Sequence, residues 1–390
     1  MQIGTLDGSA LIDASKTEAL DDVLIRVCNI FQLSSTQFSL AEKHYHAICD
    51  WLGADDSFLN PYRPDLYPQG SVALGTTVKP QRGEEYDVDL VCELGIDYRT
   101  VKSPVLLLDL IERRMQESDS YRERIERKKR CLRVNYEHDF HLDILPACPD
   151  PNSGPTCLVI PDREEGNWQA SNPKGLLKWF RDRSALRLIS SRTQKAMDSA
   201  APLPEPQTAD QKNTLQVSVQ LVKRWRDLHF ADDLDLAPVS VVLTTLLGGD
   251  YYGEQSVSLN LAASVDAIVS HLPAAGRLIV VNPAHPQEDL SERWNDDLAY
   301  RAFVEGIHAL RNAIRELLAC EDMGRRSILL QRMFGEDVTK KAFADQAKTI
   351  EAFRESQRMR IGRLASGVVS LSATGATPIP RNTFYGDAAK

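Results

Sequence analysis

Apolar residues recur at helical spacing early in the chain. Leu20, Val23, Leu24, Val27, Ile30 and Phe31 fall on one face, which predicts amphipathic helix within residues 17–52. Ser39-Leu-Ala-Glu42 has the form of a capping box and is expected to open a second helix in that stretch. Pro61, Pro64 and Pro68 then break the pattern. Two strand-like runs follow, Tyr86 to Glu93 and Arg133 to Leu145, separated by a charged helical stretch near residues 103–130. Beyond Leu215 the pattern is helical again. Leu215, Val219, Val222 and Trp225/Arg226 mark one amphipathic helix and Val239 to Leu247 a buried one, and residues 298–320 and 338–364 form two more. Between the two halves, Ser199 to Gln211 is rich in proline and small polar residues, the composition of an extended, solvated connection.

These elements predict an α/β (α+β) protein of two lobes, because single cores stop growing near roughly 250–300 residues and this chain has 390. The expected boundaries are a mixed α/β core with its N-terminal helices over 1–198, a linker or surface loop over 199–212, a helical lobe over 213–371 and a disordered tail over 372–390. With 43% hydrophobic and 26% charged residues the chain should bury a real core. The N-terminus lacks the basic start and apolar run of a secretory signal, and no apolar stretch approaches the roughly 20 residues of a spanning helix, so a cytoplasmic address and no membrane association are expected. Seven cysteines without a CxxC pair read as reduced thiols, mostly in the core. A formal charge of −9 opposes strong binding to duplex nucleic acid. It remains compatible with a small anionic substrate escorted by a divalent cation, which supplies positive charge locally.

In Tyr86-Asp-Val-Asp-Leu-Val91, strand alternation puts Asp87 and Asp89 on one face and Val88 and Leu90 on the other. In Phe140-His-Leu-Asp-Ile-Leu145 it turns Asp143 away from Leu142 and Ile144. Three carboxylates brought together repel one another unless a hard cation neutralises them, and Mg²⁺ prefers oxygen ligands together with substrate phosphates. Upstream, Pro68-Gln-Gly-Ser-Val72 offers a glycine for close backbone approach and a serine hydroxyl, the makings of a phosphate cradle where a turn opens a helix. Taken singly, a DxD pair and a Gly-Ser turn are common surface features. Their combination is far more specific.

The segments QGSVALGTTVKP, EYDVDLVCEL and FHLDILPA together resemble the polymerase-β-like nucleotidyltransferases. Within that superfamily the chain is similar to the bacterial CD-NTases, relatives of animal cyclic GMP-AMP synthase and oligoadenylate synthase that make cyclic oligonucleotides in antiphage (CBASS) defence. The likeness continues through LQVSVQLVKRWRD, PVSVVLTT, Val281-Asn-Pro283 and Glu292-Arg-Trp294 and spans roughly residues 40–310. It implies a mixed-sheet nucleotidyltransferase core packed against a C-terminal helical lobe. It further implies that Asp87 and Asp89 ligate two Mg²⁺ ions, with Mn²⁺ able to substitute, and that Asp143 ligates the ion beside the acceptor hydroxyl. By the same resemblance Gln69, Gly70 and Ser71 hold the donor's terminal phosphates, Lys223 and Ser240 reach the triphosphate, and Asn282 matches a position that meets the base. The substrates would be ATP and another nucleoside triphosphate, the product a cyclic di- or trinucleotide. Accessory proteins that act on the C-terminal tail, and a downstream effector, are further implied partners.

Competing readings are another template-independent nucleotidyltransferase, making linear oligoadenylate, tailing RNA or modifying protein, and a silent nucleotide-binding scaffold. Retention of all three aspartates argues against the scaffold. His138, His141, Cys148 and Cys157 lie close in sequence but match no standard zinc spacing. The basic runs Arg122 to Arg133 and Arg358 to Arg363 read as solvated faces, with Glu123 and Glu126 interrupting the first. His44 and His46 read as surface helix residues.

Overall fold

The computed structural model describes residues 8–79, 85–136, 140–186, 207–209 and 211–355, together with the short strand segments 360–361, 369–370 and 377–378. Two helices open the chain, α1 (Gly8–Ile30) and α2 (Ser35–Gly53). Strand β1 (Asp65–Gln69) runs directly into the short α3 (Gly70–Leu74), and β2 (Tyr86–Glu93) and α4 (Val105–Gln116) follow. Next come β3 (Ile125–Arg127), β4 (Leu132–Tyr136), β5 (Phe140–Pro149), β6 (Leu158–Asp162), β7 (Asn167–Ser171) and α5 (Pro173–Ser184). The remainder is α6 (Thr214–His229), α7 (Ser240–Gly249), α8 (Val257–Ser270), the pair β8 (Val281–Asn282) and β9 (His285–Asp289), then α9 (Asp297–Ala319), α10 (Met323–Phe334) and α11 (Glu336–Glu355).

Seven strands form one mixed sheet of order β1-β2-β5-β4-β3, with β6 paired to the far end of β5 and β7 to β6. Among the described residues only β2 and β5 run parallel, and their register sets Asp89 beside Asp143. The apolar run Arg133 to Leu145 is therefore two antiparallel strands, with Arg133 opposite Asp143. One sheet face is sealed by α2 and α4: Tyr45, Ile48, Leu52, Leu107 and Ile111 pack on Val88, Leu90, Leu142 and Ile144, all fully buried. Burial of these side chains, each favoured by roughly 1.5–3 kcal/mol, fixes which face β2 and β5 turn inward. Their carboxylates must then face the other way.

The second core gathers α1 and α6 to α11 around Leu24, Val27, Leu221, Val242, Phe303 and Leu330. Here the structure corrects the expected boundary, since α1 packs into the helical core while α2 packs on the sheet. The capping box also lies elsewhere. Ser34 accepts from the Gln37 N–H and Gln37 reaches back, so α2 starts before the Ser39-Glu42 signature. Of the expected linker over 199–212, residues 199–206 and 210 are outside the described residues. Ala209 is buried in the helical core and its N–H donates to Asn29 Oδ1 at 2.6 Å, so that end is packed rather than solvated. The tail over 372–390 lies outside the described residues apart from 377–378. No helix among the described residues is long and apolar enough to cross a membrane.

Because Leu24 is wholly enclosed by the helical core, Leu24→Ala should lower unfolding free energy by about 2–5 kcal/mol. Urea titration checks this, and a loss comparable to that of an exposed site such as Leu106→Ala would show that α1 contributes little to the lobe.

Candidate active site

Strand β1 carries Gln69 alongside Asp89 on β2, and the chain turns sharply at Gly70, whose φ is +61°. That conformation brings the backbone onto the neighbouring carboxylate: a Cβ at Gly70 would lie 2.1 Å from Asp89 Oδ2. The first turn of α3 leaves N–H groups without intrahelical partners. Gly70 and Ser71 line a cleft of about 800 Å³ between the sheet and the helical lobe, together with Gln69, Asp87, Asp89, Lys223, Ser240, Asn282 and Glu288.

The cleft's back wall is tied to the turn after α3. Thr77 Oγ1 donates to Ser71 Oγ at 3.2 Å, and the buried Lys223 Nζ donates to the Thr76 carbonyl at 3.0 Å. Gln216, which closes the capping box of α6 with Asn213, also donates to the Leu74 carbonyl at 2.9 Å. The helical lobe thus grips the end of α3 and the turn after it through α6. Across the cleft, Ser240 at the start of α7 accepts from Arg226 Nη1 at 2.6 Å, and Asp227 holds that guanidinium, with Arg226 Nε to Asp227 Oδ1 at 2.8 Å. Lys223 and Ser240 therefore stand on the same cleft as the Gly-Ser turn, and Arg226 joins them.

Asn282 is different. It is fully buried, its Nδ2 donating to the Asn172 carbonyl (3.3 Å) and Glu288 Oε2 (2.7 Å) while its Oδ1 accepts from the Ala284 N–H (2.9 Å). Each amide atom already has a partner, so Asn282 holds the cleft floor instead of offering a free edge to a base. Glu288 organises this floor, accepting also from the Asn172 N–H at 2.8 Å and Ser171 Oγ at 3.3 Å.

The three aspartates share one sheet face, as strand alternation requires. Among the described residues, however, no three His, Cys, Asp or Glu side chains form a ready-made metal cage. Arg133 sits among the aspartates, a departure from the solvated face expected of its run. Its Nε and Nη2 donate to the two oxygens of Asp143, each at 2.8 Å, and Nη2 also donates to Asp87 Oδ1 at 3.0 Å. Two further arginines of that run pair with acids: Arg130 with Asp162 and Glu292, Arg127 with Asp109 and Glu112. His44 packs its ring against Tyr136 at 4.1 Å and is not a plain surface residue.

Residues 20–184 match the family described as the Second Messenger Oligonucleotide or Dinucleotide Synthetase domain. The chain is 32% identical over 385 residues to a c-di-GMP synthase of Roseivirga ehrenbergii, covering 97% of this chain and all of that one. The chain belongs to the bacterial CD-NTases. It is also 27% identical over 327 residues to the cyclic dinucleotide synthase CdnG of Bradyrhizobium diazoefficiens, covering 76% of each. The solved structure of the Bradyrhizobium diazoefficiens CD-NTase CdnG in complex with GTP superposes with a TM-score of 0.67 at 24% identity, over 84% of this chain and 99% of the other. The polymerase-β-like core and helical lobe expected from the sequence are those of this CD-NTase, a nucleotidyltransferase.

Electrostatics in this CD-NTase are set by burial of like charges. Burial, and after it repulsion from Asp143 and Asp87, pushes the Asp89 carboxyl from its ordinary 3.8 up to about 7. Asp87 is raised as well, by burial first, with Arg133 opposing. Burial lowers the Lys223 ammonium from 10.5 to about 8, and Arg226 adds to it. The donor set suits a hard divalent ion: all carboxylate oxygens, and a Cβ-free residue at Gly70 leaving Asp89 its room.

A pH dependence follows. The fold favours protonated Asp89, so that group's contribution to stability is fully present below 3.8 and is lost as pH rises through about 7. In EDTA, Asp89→Asn should gain melting temperature over wild type as pH rises through that window, and divalent metal should close the gap. A difference independent of pH would contradict the assignment.

Proposed function

We propose that this enzyme condenses two molecules of GTP into cyclic di-GMP, with Mg²⁺ or Mn²⁺ held at Asp87, Asp89 and Asp143, and that the product signals in antiphage defence. The observation that carries this reading is the end-to-end likeness to a c-di-GMP synthase in a chain whose Asp89 and Asp143 stand side by side below the Gly-Ser turn.

Asp87 and Asp89 would hold both ions and Asp143 the one nearer the acceptor. Bound there, the metal neutralises the carboxylates, acidifies the attacking hydroxyl and screens the leaving phosphates. The rest is positioning by this chain's own groups. The N–H groups of Gly70 and Ser71 receive the donor's terminal phosphates, with Lys223 behind them and Ser240 opposite, held in place by Arg226. The acceptor's ribose hydroxyl attacks the donor's α-phosphorus, the α–β phosphoanhydride bond breaks and pyrophosphate leaves. The proton passes toward Asp143, and a second such displacement closes the ring.

The test is product analysis by mass spectrometry from all four nucleoside triphosphates, singly and mixed. The expected result is a phosphatase-resistant product from GTP alone, with the mass of cyclic di-GMP and dependent on Mg²⁺. A linear oligomer, or label transferred to RNA or protein, would overturn cyclisation, and a product requiring ATP would overturn the choice of base. The antiphage role is tested separately by plaque counts in cells expressing the enzyme with its genetic neighbours. Equal plaquing with and without intact Asp89 would reject it.

A further inference from the structure

Arg133 stands outside the machinery just described, yet it makes the strongest contacts at the catalytic carboxylates. Its strand position lies directly opposite Asp143 across the β4–β5 ladder, so the guanidinium is delivered there by sheet register and not by chance of rotamer. It meets Asp143 as a fork, two parallel N–H···O bonds of 2.8 Å that take both carboxylate oxygens, and the same Nη2 reaches Asp87 at 3.0 Å. Bidentate arginine–carboxylate pairs of this kind are the strong ones. A divalent ion on Asp143 must take one of those oxygens and must also settle beside a fixed positive charge. Both requirements oppose Arg133 where it stands. The side chain is itself partly exposed, at 21%, so it has room to leave.

We propose that Arg133 is a resident counter-cation that reserves Asp143, so that the acceptor-side metal enters only when nucleotide arrives. Resting on the two-metal reading above, this adds an order of assembly to it. In the nucleotide-free enzyme the chain's own guanidinium compensates part of the negative charge, at Asp143 and Asp87, which lessens the repulsion among the three acids. An incoming triphosphate offers the fork an alternative anion of matching geometry, Asp143 is released, and the second ion completes the site with substrate already present. Arg133 is thus a positioning residue that acts through Asp143.

The experiment counts Mn²⁺ bound per chain by electron paramagnetic resonance of the free ion, without nucleotide and with nonhydrolysable α,β-methylene-GTP. Wild type should bind one ion alone and two with the analogue. Arg133→Met should bind two without nucleotide, the second about tenfold tighter than in wild type or better, and should melt lower than wild type in EDTA but not in Mn²⁺. Arg133→Lys, which keeps the charge but cannot grip both oxygens, should fall between them and carries the test if the methionine variant does not fold. Two ions on nucleotide-free wild type, or a second-ion affinity unchanged in both variants, would overturn the proposal while leaving two-metal catalysis standing. No ion on wild type even with the analogue would overturn both.

Discussion

Replacing Asp89 by alanine is expected to reduce product formation from GTP by a factor on the order of 10³ or more, corresponding to roughly 4 kcal/mol or more of lost transition-state stabilisation. The reason is its place: Asp89 is beside Asp143 across the parallel β2–β5 pair and beside Gln69 across β1, and its carboxylate is the group against which Gly70 turns. The same substitution should leave metal-free stability unchanged or higher, because it removes a carboxyl whose ionisation burial and two neighbouring acids oppose. Rate and melting temperature measured together decide the matter. Activity within tenfold of wild type would sink the catalytic assignment, and a large stability loss would recast Asp89 as a structural residue.

Gly70→Ala should be the most damaging change at a position with no side chain. It meets two penalties at once. At φ +61° an L-residue is strained by about 1–2 kcal/mol, and the new methyl would stand 2.1 Å from Asp89 Oδ2, a contact only displacement of the carboxylate can relieve. Activity should therefore drop about a hundredfold, with unfolding free energy down only by the strain. Gly75→Ala is the matched control. Its φ is +68°, but the added Cβ meets Gln216 Nε2 at 2.6 Å, the end of a side chain able to move. It should lose similar stability and much less activity. Equal rate losses in the two variants would mean that backbone strain, not displacement of Asp89, disables the site.

Gln216 donates to the Leu74 carbonyl and Lys223 to the Thr76 carbonyl, both from α6. The end of α3 and the turn after it are therefore braced by the second lobe, and the two lobes line one cleft.

Much of this was readable from residue order. Alternation of apolar and acidic positions in Tyr86 to Val91 and Phe140 to Leu145 determined that the aspartates oppose the buried face, because a period of two leaves no other arrangement once Val88, Leu90, Leu142 and Ile144 are inside. Gly70-Ser71 ended a strand and began a helix as its composition required. Elements whose identity depends on partners were not readable. Helix α1 is amphipathic by itself, but which core its apolar stripe joins depends on a lobe that begins some 180 residues later. The single apolar run near Arg133 to Leu145 became two strands because its two halves pair with each other antiparallel, which periodicity within the run does not encode. Asn282 matched a recognition position, yet tertiary packing gave its amide to Asn172, Ala284 and Glu288. Arg133 is the clearest case. In sequence it is one charge among many, and only the β4–β5 register, formed between strands and invisible within either, places its fork on Asp143. Local pattern determined which side chains face the cleft, and long-range pairing decided which of them touch.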